Sequence, residues 1–128
     1  MTEQYVKPQY RMSGVTARII AAAQEVHVAL GPGFEEVIYQ RALARDLPSH
    51  DLEFSREVWM NVHYKGEQVG RKRVDFIIEE VMVEIKAKSE LDPEDPIQTL
   101  SYLKASGYKV GLLLNFGASK LQIKRFIK

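Results

Sequence analysis

Residues 73–88 read RVDFIIEEVMVEIKAK, and this stretch decides the fold. Two apolar runs flank Glu79 and Glu80, which is the pattern of a β-hairpin closed by a two-residue turn. In that register Asp75 lies directly opposite Glu84, whereas a three-residue loop would break the register. Since side chains alternate between the faces of a strand, Lys86 shares the face of the two acids. The other face is apolar and consists of Phe76, Ile78, Val81, Val83 and Ile85.

The two acids of this hairpin would lie about 5 Å apart, and like charges in opposed positions destabilise a sheet. We therefore expect a positive group between Asp75 and Glu84. Oxygen ligands at this spacing suit Mg²⁺ or Mn²⁺, which keep coordination positions for water and a phosphate oxygen. Lys86 would contact the same phosphate or help to deprotonate the attacking water. The alternative is an exposed face on which Arg73, opposite Lys86, and the acids form surface ion pairs, and the spacing alone favours this alternative.

Length and composition limit the class of protein. The 128 residues predict one domain over 1–128, with a polar lead over 1–13 that could be disordered. The absence of cysteine excludes disulfides, thiolate metal sites and cysteine nucleophiles. No signal peptide or membrane span is evident, so we expect a cytoplasmic protein without a membrane partner. The net charge is only +1, but the chain after Asp95 contains Lys and Arg without any acid, which favours this part for contact with a polyanion.

The predicted elements follow the order α, α, β, β, β, α, β and one ambiguous segment. Gly31–Gly33 ends the first helix, and Gly107 ends the third, which Asp95 is predicted to cap with Pro96 as its first residue. The second helix is predicted over 34–47, and the strands over 54–64, 68–78, 81–88 and 109–116. The last segment, 121–127, could form an edge strand or a short helix.

This order resembles the PD-(D/E)XK phosphodiesterase superfamily, which implies an α/β, restriction-endonuclease-like core of N-terminal helices, a three-stranded meander, a crossover helix and further strands. The sequence is most similar to the small bacterial and archaeal GxxExxY proteins. Five segments carry the similarity, which covers almost the whole chain: EVHVALGPGFEEVIY (25–39), RVD (73–75), VEIKA (83–87), QTLSYLKASG (98–107) and GLLLNFG (111–117).

The resemblance adds a G-x-x-E-x-x-Y signature formed by Gly33, Glu36 and Tyr39. It implies that Glu36 is a further metal ligand or orients metal-bound water. Glu35 points about 100° away around the helix, so it is a natural internal control. Tyr39 lies one turn after Glu36 and could hydrogen-bond the site or pack as an amphipathic aromatic, and the residue alone favours packing.

A second outlying motif, Q-x-x-x-Y, consists of Gln98 and Tyr102, and similar motifs occur in RecB-like branches of the superfamily. The amide and the phenol could hold a phosphate or orient a ligand, whereas without the family they would be a polar pair with no role. The lead into Gln98 is Asp95-Pro96-Ile97 rather than the His-x-Ala typical of the family. The face of this helix predicted to pack on the sheet consists of Ile97, Leu100 and Leu103.

The histidines and the single tryptophan carry weaker signals. His27 lies within the resemblance and near a helix C-terminus, so we keep it as a supporting residue. His50 and His63 have no metal-ligand spacing with each other or with His27, so we assign neither of them a role. Trp59 alternates with its neighbours in a strand, which favours a core or interface position over a base-stacking platform.

The leading hypothesis is a metal-dependent phosphodiesterase that acts on nucleic acid, with DNA favoured over RNA. Lys86 would activate water or stabilise the transition state, and Gln98 with Tyr102 would position the phosphate. The expected ligands of Mg²⁺ or Mn²⁺ are Asp75, Glu84, the carbonyl of Ile85 and Glu36, and the supporting residues are His27, Tyr39 and Arg73. The alternative is a binding or accessory module that keeps the nuclease fold with little or no activity. In either case the small chain could act as a homodimer or with a protein partner.

Overall fold

The computed structural model describes residues 12–128, so the predicted polar lead lies outside the described residues except for Met12 and Ser13. Its helices are α1 (Ser13–Leu30), α2 (Glu36–Asp46), followed by a 3₁₀ turn (Leu47–His50), and α3 (Glu94–Ala105). Its strands are β1 (Phe54–Tyr64), β2 (Glu67–Ile78), β3 (Val81–Lys86), β4 (Val110–Asn115) and β5 (Gln122–Ile127). These elements confirm the predicted α/β, restriction-endonuclease-like class.

The five strands form one sheet in the order β1-β2-β3-β4-β5. β3 and β4 are parallel, because α3 crosses over between them, and the other neighbours are antiparallel. All six residues of β4 are buried, as its continuous apolar run predicts for a strand covered on both faces. Of the two structures predicted for 121–127, the edge strand is the one that forms.

Helices cover both faces of the sheet and make two apolar cores. The α1 core lies between the sheet and the helices α1 and α2, and its large members include Ile19, Tyr39, Leu43, Phe76, Ile85 and Phe116. The α3 core lies on the opposite face and consists of Val74, Ile77, Met82 and Leu103, with Val58, Met60, Tyr102, Tyr108 and Phe126 packed against it. None of the helices within residues 12–128 has the length and apolar character needed to cross a membrane.

The hairpin between β2 and β3 has the predicted register. Phe76 pairs with Val83 and Ile78 with Val81, so Glu79 and Glu80 form the two-residue turn. Glu79 adopts φ 56°, the left-handed conformation that such tight hairpin turns require. Its backbone N–H donates to the Glu53 carbonyl at 2.9 Å, which fixes the turn against the start of β1.

In β1 and β2 the alternation of side chains between the two faces of the sheet is interrupted at one point. Phe54 packs with the α1 core, whereas Val58 packs with the α3 core, although both have even numbers and strict alternation would place them on one face. Glu57 lies between them with φ 52°, which interrupts the alternation. In β2 the same change separates Phe76 from Val74, and the residue between them is Asp75. Asp75 therefore lies where β2 turns away from β3.

Helix α3 differs from the prediction at its start and on its buried face. It begins at Glu94, and Asp95 is not its N-cap. The Asp92 side chain accepts from the Glu94 N–H at 3.0 Å, and the Asp95 carboxylate accepts from the Asp92 N–H at 3.0 Å, which is a reciprocal capping arrangement. Ile97 was predicted to face the sheet but is 65% exposed, because the buried positions are Asp95, Thr99 and Leu103.

The backbone packs closely at Gly117, next to the segment that follows β3, and a substitution there can test this packing. A Cβ atom at this position would lie 2.5 Å from the backbone of Ala87 and Lys88, whereas a Cβ at Gly111 would meet only ordinary contacts at 3.5 Å or more. We predict that Gly117→Ala lowers the free energy of unfolding by about 3 kcal/mol, since backbone atoms must move apart. Gly111→Ala should change it by less than about 1 kcal/mol. Chemical denaturation measures both variants, and equal effects would contradict this packing.

Candidate active site

Asp75 and Glu84 hold each other in place through the backbone. The Ile85 N–H donates to Asp75 Oδ2 at 2.8 Å, and the Asp75 N–H donates to Glu84 Oε2 at 3.3 Å. Backbone pairing between β2 and β3 ends at Phe76 and Val83, so the two carboxylates accept from N–H groups that the ladder no longer pairs. The structure thus brings together the two acids that the hairpin register places opposite each other.

The surroundings of Asp75 and Glu84 disfavour the state in which both carboxyl groups are ionised. Glu84 is only 8% exposed. Burial first, and then the hydrogen bond and the charge of Asp75, raise the pKa of Glu84 to about 9, although the Asp75 N–H and Lys86 act in the other direction. Without a metal ion the pair therefore retains a proton at neutral pH. A divalent cation would replace that proton.

Glu36 faces the same group of charges from α2. It is the first residue of the helix and is half-buried, whereas the neighbouring Glu35 is exposed. Burial and then the charge of Asp75 raise the pKa of Glu36, and the charges of Lys86 and Lys88 oppose this change. The Gln40 amide donates to Glu36 Oε1 at 3.4 Å. Glu36 is thus a third carboxylate that senses the charge of Asp75.

Two lysines follow Glu84 and differ in their pairing. Lys88 Nζ donates to both oxygens of Asp95 at 2.9 Å and to Asp92 at 2.7 Å, and these hydrogen bonds raise the pKa of Lys88 to about 12. Lys86 Nζ lies 4.0 Å from Asp95 Oδ1. Because Lys88 already neutralises Asp95, Lys86 is only loosely paired and can contact a phosphate or water.

A buried asparagine fixes the backbone that carries these lysines. Asn115 Oδ1 accepts from the Lys88 N–H at 2.8 Å, and Asn115 Nδ2 donates to the Lys88 carbonyl at 2.9 Å and to Gln122 at 2.8 Å. The Phe116 N–H donates to the Lys86 carbonyl at 2.9 Å. The segment after β3 is therefore held to β4 beyond the end of the strand.

Tyr39 lies in the α1 core and clamps the loop before α2. Its hydroxyl donates to the Gly31 carbonyl at 2.5 Å and accepts from the Phe34 N–H at 3.1 Å. Its ring stacks on Phe116 with the centroids 5.0 Å apart. These contacts assign Tyr39 to packing, the interpretation that the residue alone favours, and they fix the point where Glu36 starts its helix.

The other two supporting residues lie outside the carboxylate group. His27 Nε2 donates to the Ala118 carbonyl at 2.9 Å and links α1 to the connection between β4 and β5. Arg73 was predicted opposite Lys86, but its guanidinium lies 5.6 Å from the centroid of the Trp59 ring. The prediction was wrong because the faces of β2 change at Asp75.

Lys72 lies on the face of the β1–β2 pair where Arg73 was predicted to lie. Its Nζ lies 5.0 Å from the centroid of the Tyr102 ring, and a hydrogen bond with Tyr102 raises the pKa of Lys72, with a smaller contribution from the charge of Glu84. Tyr102 is half-buried against the α3 core. Gln98 lies one turn earlier and is exposed, and its side chain forms no hydrogen bond within residues 12–128.

Sequence reasoning missed Lys72 and the paired Lys88 and Asp95. The D-x-x-D spacing of Asp92 and Asp95 is a variant of the capping-box pattern and could have placed Asp95 in the first turn of α3. Nothing in the sequence marks Lys72, since its position depends on the conformation of Glu57.

A second group of potential metal ligands lies between α1 and the end of α2. Glu25, Asp46 and His50 each offer a ligand atom within 4.8 Å of the others. His50 Nε2 lies 2.7 Å from Glu25, and this hydrogen bond raises the pKa of His50 and lowers that of Glu25. Glu25 and His50 therefore form an ion pair, whereas Asp46 Oδ2 is buried without a hydrogen-bond partner among the described residues, and burial followed by the contact with Glu25 raises the pKa of Asp46.

Comparison with known proteins identifies the family. A family model of the PD-(D/E)XK nuclease superfamily matches residues 13–126, so the chain belongs to this superfamily. A chain described as "Crystal structure of SSO0001" is similar at 17% sequence identity with a TM-score of 0.49. The match covers 99% of this chain and 59% of that chain, so this chain spans less than two thirds of its length. No curated protein matches. The narrower resemblance to GxxExxY proteins stays a prediction.

The role of Tyr39 can be tested by removing its hydroxyl alone. We predict that Tyr39→Phe lowers the free energy of unfolding by about 1–2 kcal/mol, because the Gly31 carbonyl and the Phe34 N–H lose their partner while the ring still stacks on Phe116. Chemical denaturation is the measurement. Tyr64→Phe, at an exposed position, is the control, and an equal change in both variants would contradict the clamp.

The raised pKa of Glu84 predicts how stability depends on pH. The folded-state value of about 9 lies above the ordinary value of 4.5, so the native state binds more protons than the unfolded state between these limits, and metal-free stability falls as pH rises through them. Glu84→Gln removes this titration. In EDTA we expect the variant to be more stable than wild type by about 2 kcal/mol near pH 8, with a smaller difference near pH 5.

Thermal and chemical unfolding at both pH values measure this effect. Glu80→Gln, in the exposed turn of the same hairpin, is the matched control and should follow wild type. A Glu84→Gln protein with the pH dependence of wild type would show that the pair carries no extra proton.

Proposed function

We propose that this protein is a metal-dependent phosphodiesterase that cleaves nucleic acid, DNA in preference to RNA. Membership of a nuclease superfamily supports the general class. The observation that carries the proposal is the pair of carboxylates Asp75 and Glu84, which backbone N–H groups hold at one end of the β2–β3 ladder. Such a fixed pair of acids is costly in a sheet unless a cation binds it.

The residues present fit a hard divalent cation. The donors are oxygen atoms, and burial and then the charge of Asp75 contribute to the raised pKa values of both Glu84 and Glu36, so the three acids lie close enough to share one cation in place of a proton. Mg²⁺ or Mn²⁺ would be held by Asp75, Glu84, the carbonyl of Ile85 and Glu36. When bound, the ion supplies positive charge for the phosphate oxygens and lowers the pKa of water.

The surrounding side chains would position the substrate. Lys86, which Asp95 pairs only at 4.0 Å, is placed to donate to a phosphate oxygen or to take part in deprotonating the attacking water. Lys72 and Tyr102 present an ammonium and a phenol on the α3 side of Glu84, where they could hold the phosphate. Gln98 would join them from the exposed face of the same helix.

Cleavage of end-labelled single- and double-stranded DNA and RNA in Mg²⁺ or Mn²⁺ tests the proposal. We expect Glu84→Ala to lower the cleavage rate by about 100-fold or more, because it removes a metal ligand. Glu35→Ala is the matched control, since Glu35 is exposed beside Glu36 and should leave the rate unchanged.

The same experiment can refute the activity. If all three proteins cut at the same rate, the cleavage is a contamination. If wild type leaves every substrate intact, the protein is a nuclease-fold binding module or requires a partner.

A further inference from the structure

The β1–β2 pair extends beyond the rest of the sheet. β3 pairs with β2 only at 76–78, so residues 58–74 form a two-stranded ribbon that continues past Asp75. Every residue from Glu67 to Arg73 is exposed. The ribbon contains four Lys or Arg residues and one acid, Glu67, whereas the whole chain has a net charge of only +1. Positive charge is thus concentrated next to the carboxylates.

One side chain of the ribbon is unusual for an exposed position. Trp59 is 51% exposed, although its sequence pattern favours a core or interface position. Arg71 and Arg73 lie over its ring, with Cζ-to-centroid distances of 4.1 Å and 5.6 Å. Within residues 12–128 neither arginine forms an ion pair, so both guanidinium groups keep donors available for an anion. We call Trp59, Arg71 and Arg73 the Trp59 cluster.

The Trp59 cluster lies on the free face of the ribbon. The opposite face packs on α3 through Val58, Met60 and Val74. The free face starts close to the carboxylates, since Arg73 is two residues from Asp75 and thus about 7 Å away along the strand. The cluster is therefore within reach of a polymer that is bound at the carboxylates.

Two occupants could cover such an exposed aromatic face. A second copy of this chain would bring arginines against arginines, because a twofold interface places the same patch on both sides. Nucleic acid is complementary instead: its phosphates accept from guanidinium groups, and an unpaired base stacks on an indole ring. In a duplex the bases stack on each other and do not offer their faces.

We propose that the Trp59 cluster binds single-stranded nucleic acid beside the phosphodiester bond that is cut. Trp59 stacks on an unpaired base, and Arg71 with Arg73 bind the neighbouring phosphates. The position relative to the cut bond rests on the proposed nuclease function. The binding itself needs no metal ion and no cleavage.

The protein contains one tryptophan and six tyrosines, so fluorescence excited at the long-wavelength edge, where tryptophan absorbs and tyrosine does not, reports on this site alone. In EDTA we expect oligodeoxythymidylate to quench the fluorescence of the wild-type protein with saturation, and a duplex of the same length to quench it less. Fluorescence anisotropy of the labelled oligonucleotide gives the affinity for each variant. Trp59→Ala should weaken single-strand binding about 10-fold, the loss of one stacked base, without changing its salt dependence.

The arginines have a different signature. The double substitution Arg71→Gln and Arg73→Gln should reduce the slope of log affinity against log salt by about 1.4, because two phosphate contacts are lost. Tyr64→Ala, an exposed aromatic at the tip of the same ribbon, is the matched control and should bind like wild type. Unchanged melting temperatures establish that the variants are folded.

The inference is overturned if Trp59→Ala and the double variant bind the single strand like wild type. It is also overturned if Trp59→Ala converts a wild-type dimer to a monomer in light scattering, because the ring would then contact a second copy. Binding through Trp59 without any cleavage in Mg²⁺ or Mn²⁺ would refute the nuclease activity and leave the cluster in place. Cleavage with a cluster that does not bind would refute only this inference.

Discussion

The rest of the structure depends on the crossed hydrogen bonds by which Asp75 and Glu84 accept from each other's strand. At this point the regular ladder between β2 and β3 has ended, so these N–H groups would otherwise lack partners. The Asp75 and Glu84 carboxylates accept these hydrogen bonds, and they cannot move apart without breaking them. The repulsion between the carboxylates is thus retained in the fold, and it contributes to the pKa of about 9 at Glu84.

Neighbouring charges are arranged so that this repulsion is not cancelled within the protein. Lys88 is the nearby cation with the closest acidic partners, but these partners are Asp95, with both oxygens at 2.9 Å, and Asp92 rather than Glu84. Lys86 lowers the pKa of Glu84 without overcoming burial. Because the buried Asp95 already has Lys88 as its cationic partner, Asp95 does not need a close ion pair with Lys86. Lys88 is thus paired with Asp95 rather than with the carboxylates, and Lys86 lies no closer than 4.0 Å to Asp95.

The parts of the site that depend on local rules could be predicted from the sequence. Two-residue turns fix hairpin register, and strand alternation then places Asp75, Glu84 and Lys86 on one face. The remaining parts of the site depend on backbone conformations that cannot be predicted from the residue type. Glu57 adopts φ 52°, a value that glycine favours and glutamate rarely takes, so strict alternation put Arg73 on the wrong side and hid Lys72. Ile97 was assigned to the sheet because it is apolar, whereas Asp95 takes a buried position through its hydrogen bonds with Lys88 and Asp92.

The change of faces at Glu57 and Asp75 links the carboxylate pair to the Trp59 cluster. If the alternation continued unbroken, Trp59 and Arg73 would lie on the face of α3, and the apolar residues Val58, Met60 and Val74 would be turned to water. The interruption buries those apolar side chains and at the same time turns the aromatic and cationic ones outward. It occurs at the residue that supplies the first carboxylate, so the strand that carries Asp75 also carries the cluster. A chain with few elements outside its core can thus place a carboxylate pair and an extended basic face in sequence along one strand.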